Sequence, residues 1–463
     1  MATRTLDQSD RTTRQHRSTH DPASTSPTRD ERTASALPRP APDSVAATAA
    51  PLLAALIGTR APVRIEFWDG SSLGPEEVPG SLRVRSADAV RRILWAPGEL
   101  GLARAFVAGD LEVDGDLFAM LRVLHDGAPR DLRQNGLRLL PAALRAAKDL
   151  GAIGRPLPPP PEECRPPGRL HSPTRDAVVV SHHYDVGNDF YRLVLGESMT
   201  YSCARFVDAS STLEEAQAAK HELVCRKLGL HERPGTRLLD VGCGWGSMAI
   251  HAARHHQAEV VGVSLSREQV DLARRRVEEA GLADRVEIRL EDYRDLRGEP
   301  FDAISSIGMF EHVGTSRMQQ YFETLRRLLR PEGRLLNHAI SKPGGTTLGR
   351  RTFIGSYVFP DGELLDVAAV VGAMQRNGFE VRDVESLREH YSRTLHRWVA
   401  NLEAGWDEAV TLVGTPRANI WRLYMAASAN GFDDGGIAVH QVLGVVPDAS
   451  GGSGMPPTRA GWG

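Results

Sequence analysis

The stretch LLDVGCGWG, residues 238–246, joins an apolar run to an acid and three alternating glycines. Its apolar residues favour a buried parallel strand, and its glycines permit a tight turn whose backbone a ligand can approach closely. Residues Ser247 to His256 then suit a helix, with Met248 and Ile250 available for packing. A strand, a glycine turn and a helix in this order predict a nucleotide-binding crevice.

The spacing of the glycines indicates the kind of cofactor. A dinucleotide site has Gly-x-Gly-x-x-Gly and an acid about 20 residues later that holds the ribose. Here Gly242, Gly244 and Gly246 follow the pattern Gly-x-Gly-x-Gly, with Asp240 two residues before them, and the next strand, Glu259 to Val263, has no acid at its tip. The turn therefore resembles motif I of S-adenosylmethionine (AdoMet) methyltransferases. For this motif alone, a tight turn without a ligand is the alternative.

Composition excludes several classes of protein. The 463 residues allow roughly three domains of about 150 residues, and 41% hydrophobic residues suffice for a sizeable core. No apolar run approaches the roughly 18 residues of a membrane span, and the N-terminus has no apolar signal core. The four cysteines have neither paired metal spacing nor a disulfide framework, so we expect no metal and a reducing cytoplasm. A net charge of -3 argues against nucleic acid as the main partner.

Changes in composition along the chain predict five segments. Residues 1–51 are rich in Ser, Thr, Arg, Asp and Pro and are expected to form a disordered tail. Residues 52–153 carry short strand and helix patterns and are expected to form a small N-terminal α+β domain. The proline-rich residues 154–168 predict a stiff linker, residues 169–446 the methyltransferase domain, and the Gly- and Pro-rich residues 447–463 a flexible tail.

Strand and helix patterns alternate in the segment that follows the linker. Strands are expected at Arg237–Val241, Glu259–Val263, Val286–Leu290, Phe301–Ile307 and Arg334–Ile340, with helices at Arg267–Ala280 and Ser316–Leu329. Two further strands, Phe379–Val384 and Ile437–Val445, flank a helical insert from Tyr391 to about Ala429. This order predicts an α/β fold with a doubly wound, Rossmann-like class I methyltransferase sheet, whose strand tips carry the ligands.

Several further motifs extend the resemblance. They are HYDVGNDFY at 183–191, SMTYSCA at 198–204, GVSLS at 262–266, SIGMFEHVG at 306–314, NHAI at 337–340 and HYSRTL at 390–395. Together with the glycine turn, they closely resemble the cyclopropane fatty acid synthase family, which includes the mycolic acid cyclopropane synthases. The resemblance covers about residues 181–445. The N-terminal domain also looks like the extra domain of the bacterial phospholipid-acting members.

The resemblance implies two sets of site residues. The AdoMet site maps to Tyr201, Ser202, Asp240, Gly242, Gly244, Gly246, Ser264, Leu265, Gln269, Asp292 and Tyr293. Family members also bind a bicarbonate ion beside the transferred methyl, and its ligands map to Cys203, Glu311, His338, Tyr391 and the backbone of Ile340. The family often has Thr where this chain has Ser264, a change that keeps the hydroxyl.

The resemblance also implies a reaction. An enzyme of this kind transfers a methylene group from AdoMet to the cis double bond of unsaturated acyl chains of membrane phospholipids. Attack by the alkene leaves a carbocation, so the pocket must exclude water, and bicarbonate then removes a proton to close a cyclopropane ring. A hydride shift before proton loss would instead give a methylene-branched chain, which a partner reductase could saturate. A methyltransferase for a soluble small molecule and a non-catalytic lipid- or AdoMet-binding module are alternatives of other classes.

The implied substrate predicts a cytoplasmic protein that is peripheral at the membrane. Asp131 to Arg155 alternates basic residues with leucines, which suits an interfacial amphipathic helix, although a core-facing helix with solvated arginines is the alternative. The sequence leaves open whether the protein forms a homodimer.

Each of these site residues has a structural alternative when it is taken alone. Glu311 could cap the next helix, and His338 could be a satisfied core histidine. Tyr391 could be a packing aromatic, and Cys203 a small buried hydrophobe. Asp240 could satisfy the amides of the glycine turn rather than order the cofactor. The joint match of the motifs favours the functional interpretation.

Overall fold

The computed structural model describes residues 41–57, 63–126, 141–142, 144–165, 168, 175, 186–347 and 352–462. All of these residues belong to one compact unit. Among them, no helix is both long enough and apolar enough to cross a membrane. Residues 131–140 and residue 143 of the predicted amphipathic segment, Asp131 to Arg155, lie outside the described residues.

The N-terminal part combines a small sheet with several helices. Its elements are α1 (Val45–Ile57), β1 (Arg64–Glu66), β2 (Ser72–Leu73), β3 (Gly80–Val84), α2 (Ala87–Trp95), α3 (Glu99–Val107), β4 (Leu111–Gly115) and α4 (Leu117–Asp126). The strand order is β2-β1-β3-β4, with β1 parallel to β3 and the other pairs antiparallel. Ser86 caps α2, because its hydroxyl accepts a hydrogen bond from the Asp88 amide.

The predicted boundary of the disordered tail at residue 51 is wrong for its last residues. Helix α1 begins at Val45 and continues through Pro51. Ala46, Ala49 and Leu52 are at most 3% exposed and pack in the core of the N-terminal part. Alanine has the highest helix propensity, and apolar burial on one helix face stabilises the segment that composition alone assigned to the tail. Residues 1–40 of the predicted tail lie outside the described residues.

The proline-rich segment is bound to the N-terminal helices along its described length. Residues 154–165 contain no helix or strand. The carbonyls of Arg155 and Pro158 accept hydrogen bonds from Arg91 (2.7 Å) and Arg92 (2.9 Å) of α2. The carboxylate of Glu163 accepts two from Arg104 of α3 (2.7 and 2.8 Å). These contacts fix the path of a segment whose prolines cannot donate backbone hydrogen bonds.

The second part of the chain is built on a large mixed sheet. Its elements are α5 (Asn188–Leu195), α6 (Leu213–Leu228), β5 (Arg237–Val241), α7 (Ser247–His256), β6 (Glu259–Ser264), α8 (Arg267–Glu279), β7 (Val286–Leu290), β8 (Phe301–Ile307), α9 (Met318–Leu328), β9 (Leu329–Ser341), β10 (Thr346–Thr347), α10 (Phe353–Tyr357), β11 (Glu363–Leu364), α11 (Val367–Arg376), β12 (Glu380–Ser386), α12 (Arg388–Ala404), α13 (Trp406–Val413), α14 (Thr415–Asp433) and β13 (Ala438–Val445). Short 3₁₀ turns lie at Leu230–Glu232, Phe310–His312 and Thr315–Arg317.

The topology of this sheet confirms the predicted doubly wound fold. The strand order is β12-β13-β9-β8-β5-β6-β7. Strands β7, β6, β5, β8 and β9 run parallel, and β13 is antiparallel to both of its neighbours. From β5 the chain winds first towards β7 and then back through β8 to β9, so the order reverses between β5 and β8. Ligands of such sheets bind at the carboxyl ends of the strands next to this reversal.

The predicted helical insert between the last two strands consists of α12, α13 and α14. It packs against the N-terminal part as well as the sheet. The side-chain amide of Asn430 on α14 donates to the carbonyl of Phe118 on α4 (2.9 Å), and Arg122 on α4 forms an ion pair with Asp433 (2.5 Å). Phe118 also stacks on His396 of α12, with ring centroids 4.1 Å apart. The insert therefore joins the two parts of the chain around one apolar core.

Residues 447–462, which the sequence predicts as a flexible tail, form no helix or strand but contact the large sheet. Trp462 is 7% exposed and packs with Met455 against the core on one side of the large sheet. Arg334 of β9 donates to the Gly454 carbonyl (3.0 Å), and Arg459 forms an ion pair with the buried Asp383. Glycine and proline content indicates the absence of regular structure, but a buried tryptophan and two arginines hold the segment in place.

Candidate active site

The ends of β5 and β8 open into a cavity of about 180 Å³ at the reversal of the strand order. All of the predicted cofactor-binding residues except Gly246 line it: Tyr201, Ser202, Asp240, Gly242, Gly244, Ser264, Leu265, Gln269, Asp292 and Tyr293. These residues come from the tips of β5, β6 and β7 and from the loop before α6. The position agrees with the rule for open α/β sheets.

The glycine turn leaves room for a ligand at one position in particular. Gly242 and Gly244 have φ angles of 75° and 54°, a region that favours glycine. A Cβ atom built at Gly244 meets nothing within 4 Å, so the space beside it belongs to the cavity. Gly246 has φ 81° at the start of α7, and a Cβ atom there lies 3.3 Å from Ala273. Gly246 therefore serves the turn and the packing of α8 rather than the cavity wall.

Asp240, the next-to-last residue of β5, has a buried carboxylate that lines the cavity. Its Oδ1 accepts a hydrogen bond from the Ser305 hydroxyl at 2.7 Å, and its Oδ2 is buried with no hydrogen-bond partner among the described residues. The amides of Gly242 and Cys243 instead donate to the Val263 carbonyl, both at 3.0 Å. The alternative in which Asp240 satisfies the turn amides is therefore wrong. Burial raises the pKa of Asp240 to about 6, although the Ser305 hydrogen bond lowers it.

The tips of β6 and β7 supply the far wall of the cavity. The Ser264 hydroxyl donates to Gln269 Oε1 at 2.8 Å, which fixes both side chains at the start of α8. Leu265 is 41% exposed and presents an apolar side chain to the cavity. The Asp292 carboxylate is held by Arg294, with Nε 2.9 Å from Oδ1 and Nη2 2.5 Å from Oδ2.

Side chains of α6 hold the loop that carries Tyr201 and Ser202 through hydrogen bonds. Gln217 Nε2 donates to the carbonyls of Thr200 (3.3 Å) and Ser202 (2.9 Å), and Lys220 Nζ donates to the Ser202 hydroxyl (3.0 Å). Both α6 side chains are at most 1% exposed. The structure therefore gives this wall of the cavity a rigid support that the loop sequence does not reveal.

A second group of predicted residues meets where β8 and β9 end. Glu311 lies in the 3₁₀ turn after β8, and its Oε1 accepts a hydrogen bond from the Ile340 amide of β9 at 2.7 Å. Its Oε2 is buried with no hydrogen-bond partner among the described residues. Glu311 therefore does not cap α9, which begins at Met318. The backbone of Ile340 was predicted as an anion ligand, and in the structure its amide donates to Glu311 instead.

His338 is buried between β8 and β13 with one ring nitrogen paired. His338 is 2% exposed, and its Nδ1 lies 3.2 Å from Nε2 of Gln441, the residue opposite it on β13. With the Gln441 amide oriented in this way, its nitrogen donates, Nδ1 accepts, and the proton of the neutral ring lies on Nε2. Nε2 is buried and has no partner within the described part of the chain. The alternative of a satisfied core histidine is therefore wrong.

Cys203 and Tyr391 lie on neighbouring elements at the base of the insert. Cys203 is fully buried, and its Sγ lies 3.6 Å from the Leu387 carbonyl just before α12. The Tyr391 ring is 7% exposed and contacts Phe432, with centroids 4.7 Å apart. The structure thus places both residues in the apolar core that joins the insert to the cavity.

Burial controls the charges of these groups. It raises the pKa of Glu311 to about 7, although the Ile340 amide lowers it. It lowers the pKa of His338 to about 3, with a smaller contribution from Lys220, so the ring is neutral near pH 7. It also raises the pKa of the Cys203 thiol well above its usual value. At neutral pH these residues therefore include a neutral imidazole and a neutral thiol, and a carboxyl whose pKa lies close to the pH of the solution.

Two residues of the site were missed from the sequence. Gln441 lies in a strand without any motif, and only its register opposite His338 reveals it. Lys220 lines the cavity from α6, on the helix face that also carries the buried Ala216 and Leu223. A lysine on an otherwise apolar helix face is a signal that periodicity could have shown.

The structure also gathers three potential metal ligands that no spacing pattern links. Donor atoms of Cys225, His251 and His256 lie within 4.8 Å of one another between α6 and α7. Glu222 Oε2 lies 3.4 Å from His251 Nε2 and 2.8 Å from His256 Nε2. These contacts bind the imidazoles within the protein, and none of these residues lines the cavity.

Comparisons with known proteins agree with this geometry. The family model described as mycolic acid cyclopropane synthetase matches residues 171–442. A probable fatty acid methyltransferase of Mycobacterium tuberculosis is 42% identical over 406 residues, which cover 85% of this chain and 93% of the relative. The cyclopropane-fatty-acyl-phospholipid synthase of Escherichia coli is 35% identical over 369 residues, 79% of this chain and 87% of the relative.

A solved structure supports the fold and the cofactor. Mycolic acid cyclopropane synthase CmaA1, crystallised with SAH and CTAB, is 35% identical to this chain with a TM-score of 0.55. The match covers 58% of this chain and 98% of that one. SAH is the product that AdoMet leaves after methyl transfer, and the cavity lies at the strand ends where such a cofactor is expected. The chain therefore belongs to the mycolic acid cyclopropane synthetase family and is an AdoMet-dependent methyltransferase.

Proposed function

We propose that the protein transfers a methylene group from AdoMet to the cis double bond of unsaturated acyl chains of membrane phospholipids, and that a bicarbonate ion assists the loss of the proton that closes a cyclopropane ring. One observation carries the proposal. Glu311 Oε2 and His338 Nε2 are buried polar atoms without a partner among the described residues, and the neighbours of these two residues, His312 in the chain and Ile307 on the adjacent strand, line the cavity. Unsatisfied polar atoms are costly inside a protein unless a ligand completes them.

AdoMet fits the residues of the cavity. The missing side chain at Gly244 allows close approach to the backbone, and the exposed face of Leu265 is available to cover the adenine. Tyr201 and Ser202 would border the methionyl part, on the side of the cavity that leads to Cys203. When bound there, AdoMet supplies the electrophilic methyl group. The protein's contribution is to hold that group in line with the alkene, and positioning of this kind can supply about 7–11 kcal/mol.

Bicarbonate fits the second group of residues. His338 Nε2 carries a proton that can be donated to an oxyanion, since Gln441 occupies Nδ1. Glu311 has a pKa near 7, so it can share a proton with a second anion and the two do not repel each other. Bicarbonate would lie between these side chains, with Cys203 and Tyr391 at its border, and would supply a base. Glu311 also holds the Ile340 amide in place beside it.

The protein must keep water from a carbocation on the acyl chain, and the aromatic side chains around Tyr201 suit this task. The Tyr201 ring contacts Trp398 and Trp421, with centroids 5.4 and 5.7 Å apart. Its hydroxyl lies 3.1 Å from that of Tyr424. An apolar wall excludes water, and electron-rich ring faces stabilise a nearby positive charge.

Contact with a membrane surface is part of the proposal. Trp95, Leu144 and Ile153 of the N-terminal part are 55%, 50% and 56% exposed, and Arg145 and Lys148 beside them are exposed as well. Exposed apolar side chains together with cations suit the interface of an anionic bilayer. A protein that acts on acyl chains of a bilayer needs a surface that can contact the bilayer.

The test uses the purified full chain, AdoMet and vesicles of phospholipid with cis-unsaturated chains. We expect mass spectrometry to show a gain of one CH₂ per modified chain, and the rate to fall in bicarbonate-depleted buffer and recover when bicarbonate returns. Chemical degradation of the product separates a ring from a methylene branch, which would call for a partner reductase. Turnover of a polar metabolite with no reaction on vesicles would contradict the lipid substrate.

A further inference from the structure

Lys220 is a buried cation that the proposed reaction does not yet use. It lies on α6, is 1% exposed, and lines the cavity between Ser202 and Asp240. Its Nζ donates to the Ser202 hydroxyl at 3.0 Å. Within the residues that the structure describes, it forms no ion pair. The nearby Asp240 carboxylate bonds Ser305 instead.

A second lysine of the same helix shows what a buried cation normally requires. Lys227, two turns further along α6, is also 1% exposed. Its Nζ lies 2.9 Å from Asp383 Oδ2 and 2.5 Å from Glu385 Oε2. Buried ammonium groups are retained when an anion compensates their lost hydration. Lys227 has its anions within the protein, whereas Lys220 has one neutral hydroxyl and an open side towards the cavity.

We propose that Lys220 Nζ and the Ser202 hydroxyl form an anion subsite of the cavity, whose ligand is a carboxylate-type oxyanion. Two such anions belong to the reaction: the methionyl carboxylate of AdoMet and bicarbonate. Ser202 lines the cofactor cavity, and the adjacent Cys203 belongs to the bicarbonate group, so Lys220 lies where the two sites meet. If the ligand is the methionyl carboxylate, the proposal rests on AdoMet binding alone. If the ligand is bicarbonate, it rests on the proposed function.

The charge of Lys220 gives the subsite a signature in solution. Burial lowers the pKa of Lys220 to about 8, while the nearby Cys203 and Asp240 raise it. The other titratable groups that feel its charge are His221, Cys225 and His338, and burial keeps all three neutral at pH 8.5. A bound anion raises the pKa of an ammonium group. Lys220 should therefore take up a proton when its ligand binds at pH 8.5.

The test compares Lys220→Met with the matched control Lys227→Met. Calorimetry on the full chain measures the affinity for AdoMet and for decarboxylated AdoMet, and activity on vesicles measures the bicarbonate concentration for half-maximal rate. If the ligand is the methionyl carboxylate, Lys220→Met binds AdoMet about ten- to a hundredfold more weakly and decarboxylated AdoMet as the unmodified protein does. If the ligand is bicarbonate, AdoMet affinity stays and the bicarbonate requirement rises by a similar factor. Lys227→Met changes neither.

The proposal also predicts stability and proton uptake. Lys220→Met removes an unpaired buried cation and should not lower the melting temperature, whereas Lys227→Met takes away one of the two cations paired with the buried Asp383 and should lower it. In the unmodified protein, calorimetry in buffers of different ionisation enthalpy should detect proton uptake at pH 8.5 on addition of AdoMet or bicarbonate.

If Lys220→Met folds, unchanged AdoMet affinity together with unchanged bicarbonate dependence would overturn the subsite. If that variant does not fold, the absence of proton uptake by the unmodified protein with both anions would overturn it. The measurement of AdoMet affinity needs no lipid. Weakened AdoMet binding in a protein inactive on vesicles would support the subsite while contradicting the proposed function.

Discussion

The cofactor cavity and the Glu311–His338 cluster lie at the ends of the same sheet but are assembled differently. Most of the cavity wall comes from residues that directly follow β5, β6 and β7, and its key feature is space where Gly244 has no side chain. The cluster depends on polar atoms that are buried and unpaired, and it requires β13 to bring Gln441 beside His338. The cavity is defined by shape, and the cluster by unfulfilled hydrogen bonds.

This difference predicts that the two regions fail separately when they are mutated. Damage to the cavity should remove binding, and turnover with it. Damage to the cluster should leave binding intact and slow the reaction, because its groups act on the substrate only after AdoMet is in place.

The largest effect is expected from Gly244→Val. The added isopropyl group fills the space beside the turn, so AdoMet binding and turnover should be abolished while the protein stays folded. Gly281→Val is the matched control, since Gly281 also has a positive φ (66°) and an open Cβ position but does not line the cavity. Calorimetry with AdoMet and circular dichroism measure the two properties. A folded Gly244→Val variant with unchanged affinity would contradict the assignment of the cavity.

Glu311→Gln, His338→Ala and Tyr391→Phe should each reduce kcat while AdoMet affinity changes little. Loss of one orienting hydrogen bond in a dry site costs about 2.7–4 kcal/mol, which is about a hundred- to a thousandfold in rate. Glu403→Gln, in a surface ion pair with Arg422, serves as control. Near-normal turnover in all three variants, together with no effect of bicarbonate depletion, would make the cluster structural.

Glu311 should also make stability depend on pH. Its pKa is about 7 in the folded protein against an ordinary value of 4.5, so between these values the folded protein keeps a proton that the unfolded chain releases. The free energy of unfolding should therefore fall as pH rises from 4.5 to 7, by at most about 3 kcal/mol from this group. Urea unfolding of Glu311→Gln should lack this contribution. Parallel pH curves for the two proteins would place the carboxyl in contact with water.

The smallest effect is expected from Gln441→Leu. Without the amide donor, the ring proton of His338 is free to move to Nδ1, and the rate should fall about five- to thirtyfold for the loss of one hydrogen bond of about 1–2 kcal/mol. Gln441→Glu, which accepts rather than donates, should raise the pKa of His338 and shift the pH profile of kcat. An unchanged profile in both variants would show that Gln441 has no role in positioning His338.

The sequence predicted most of the sheet because its signals are local. The strands at Arg237–Val241, Val286–Leu290 and Phe301–Ile307 are confirmed with the same bounds. The sequence missed structure at both ends of the chain, where composition was the only guide. Helix α1 and the buried Trp462 depend on contacts with distant residues, and glycine or alanine content does not report such contacts.

By itself, the sequence determined the doubly wound fold, the glycine turn at the cofactor cavity and the family, because each is encoded in short motifs with fixed spacing. The tertiary structure decided which polar atoms are left without partners. The register of β13 selects the ring nitrogen of His338 that stays open, and the packing of α6 leaves Lys220 without a carboxylate while it gives Lys227 two. Hydrogen bonds and ion pairs of buried groups depend on neighbours far apart in the chain, so only the folded protein specifies them.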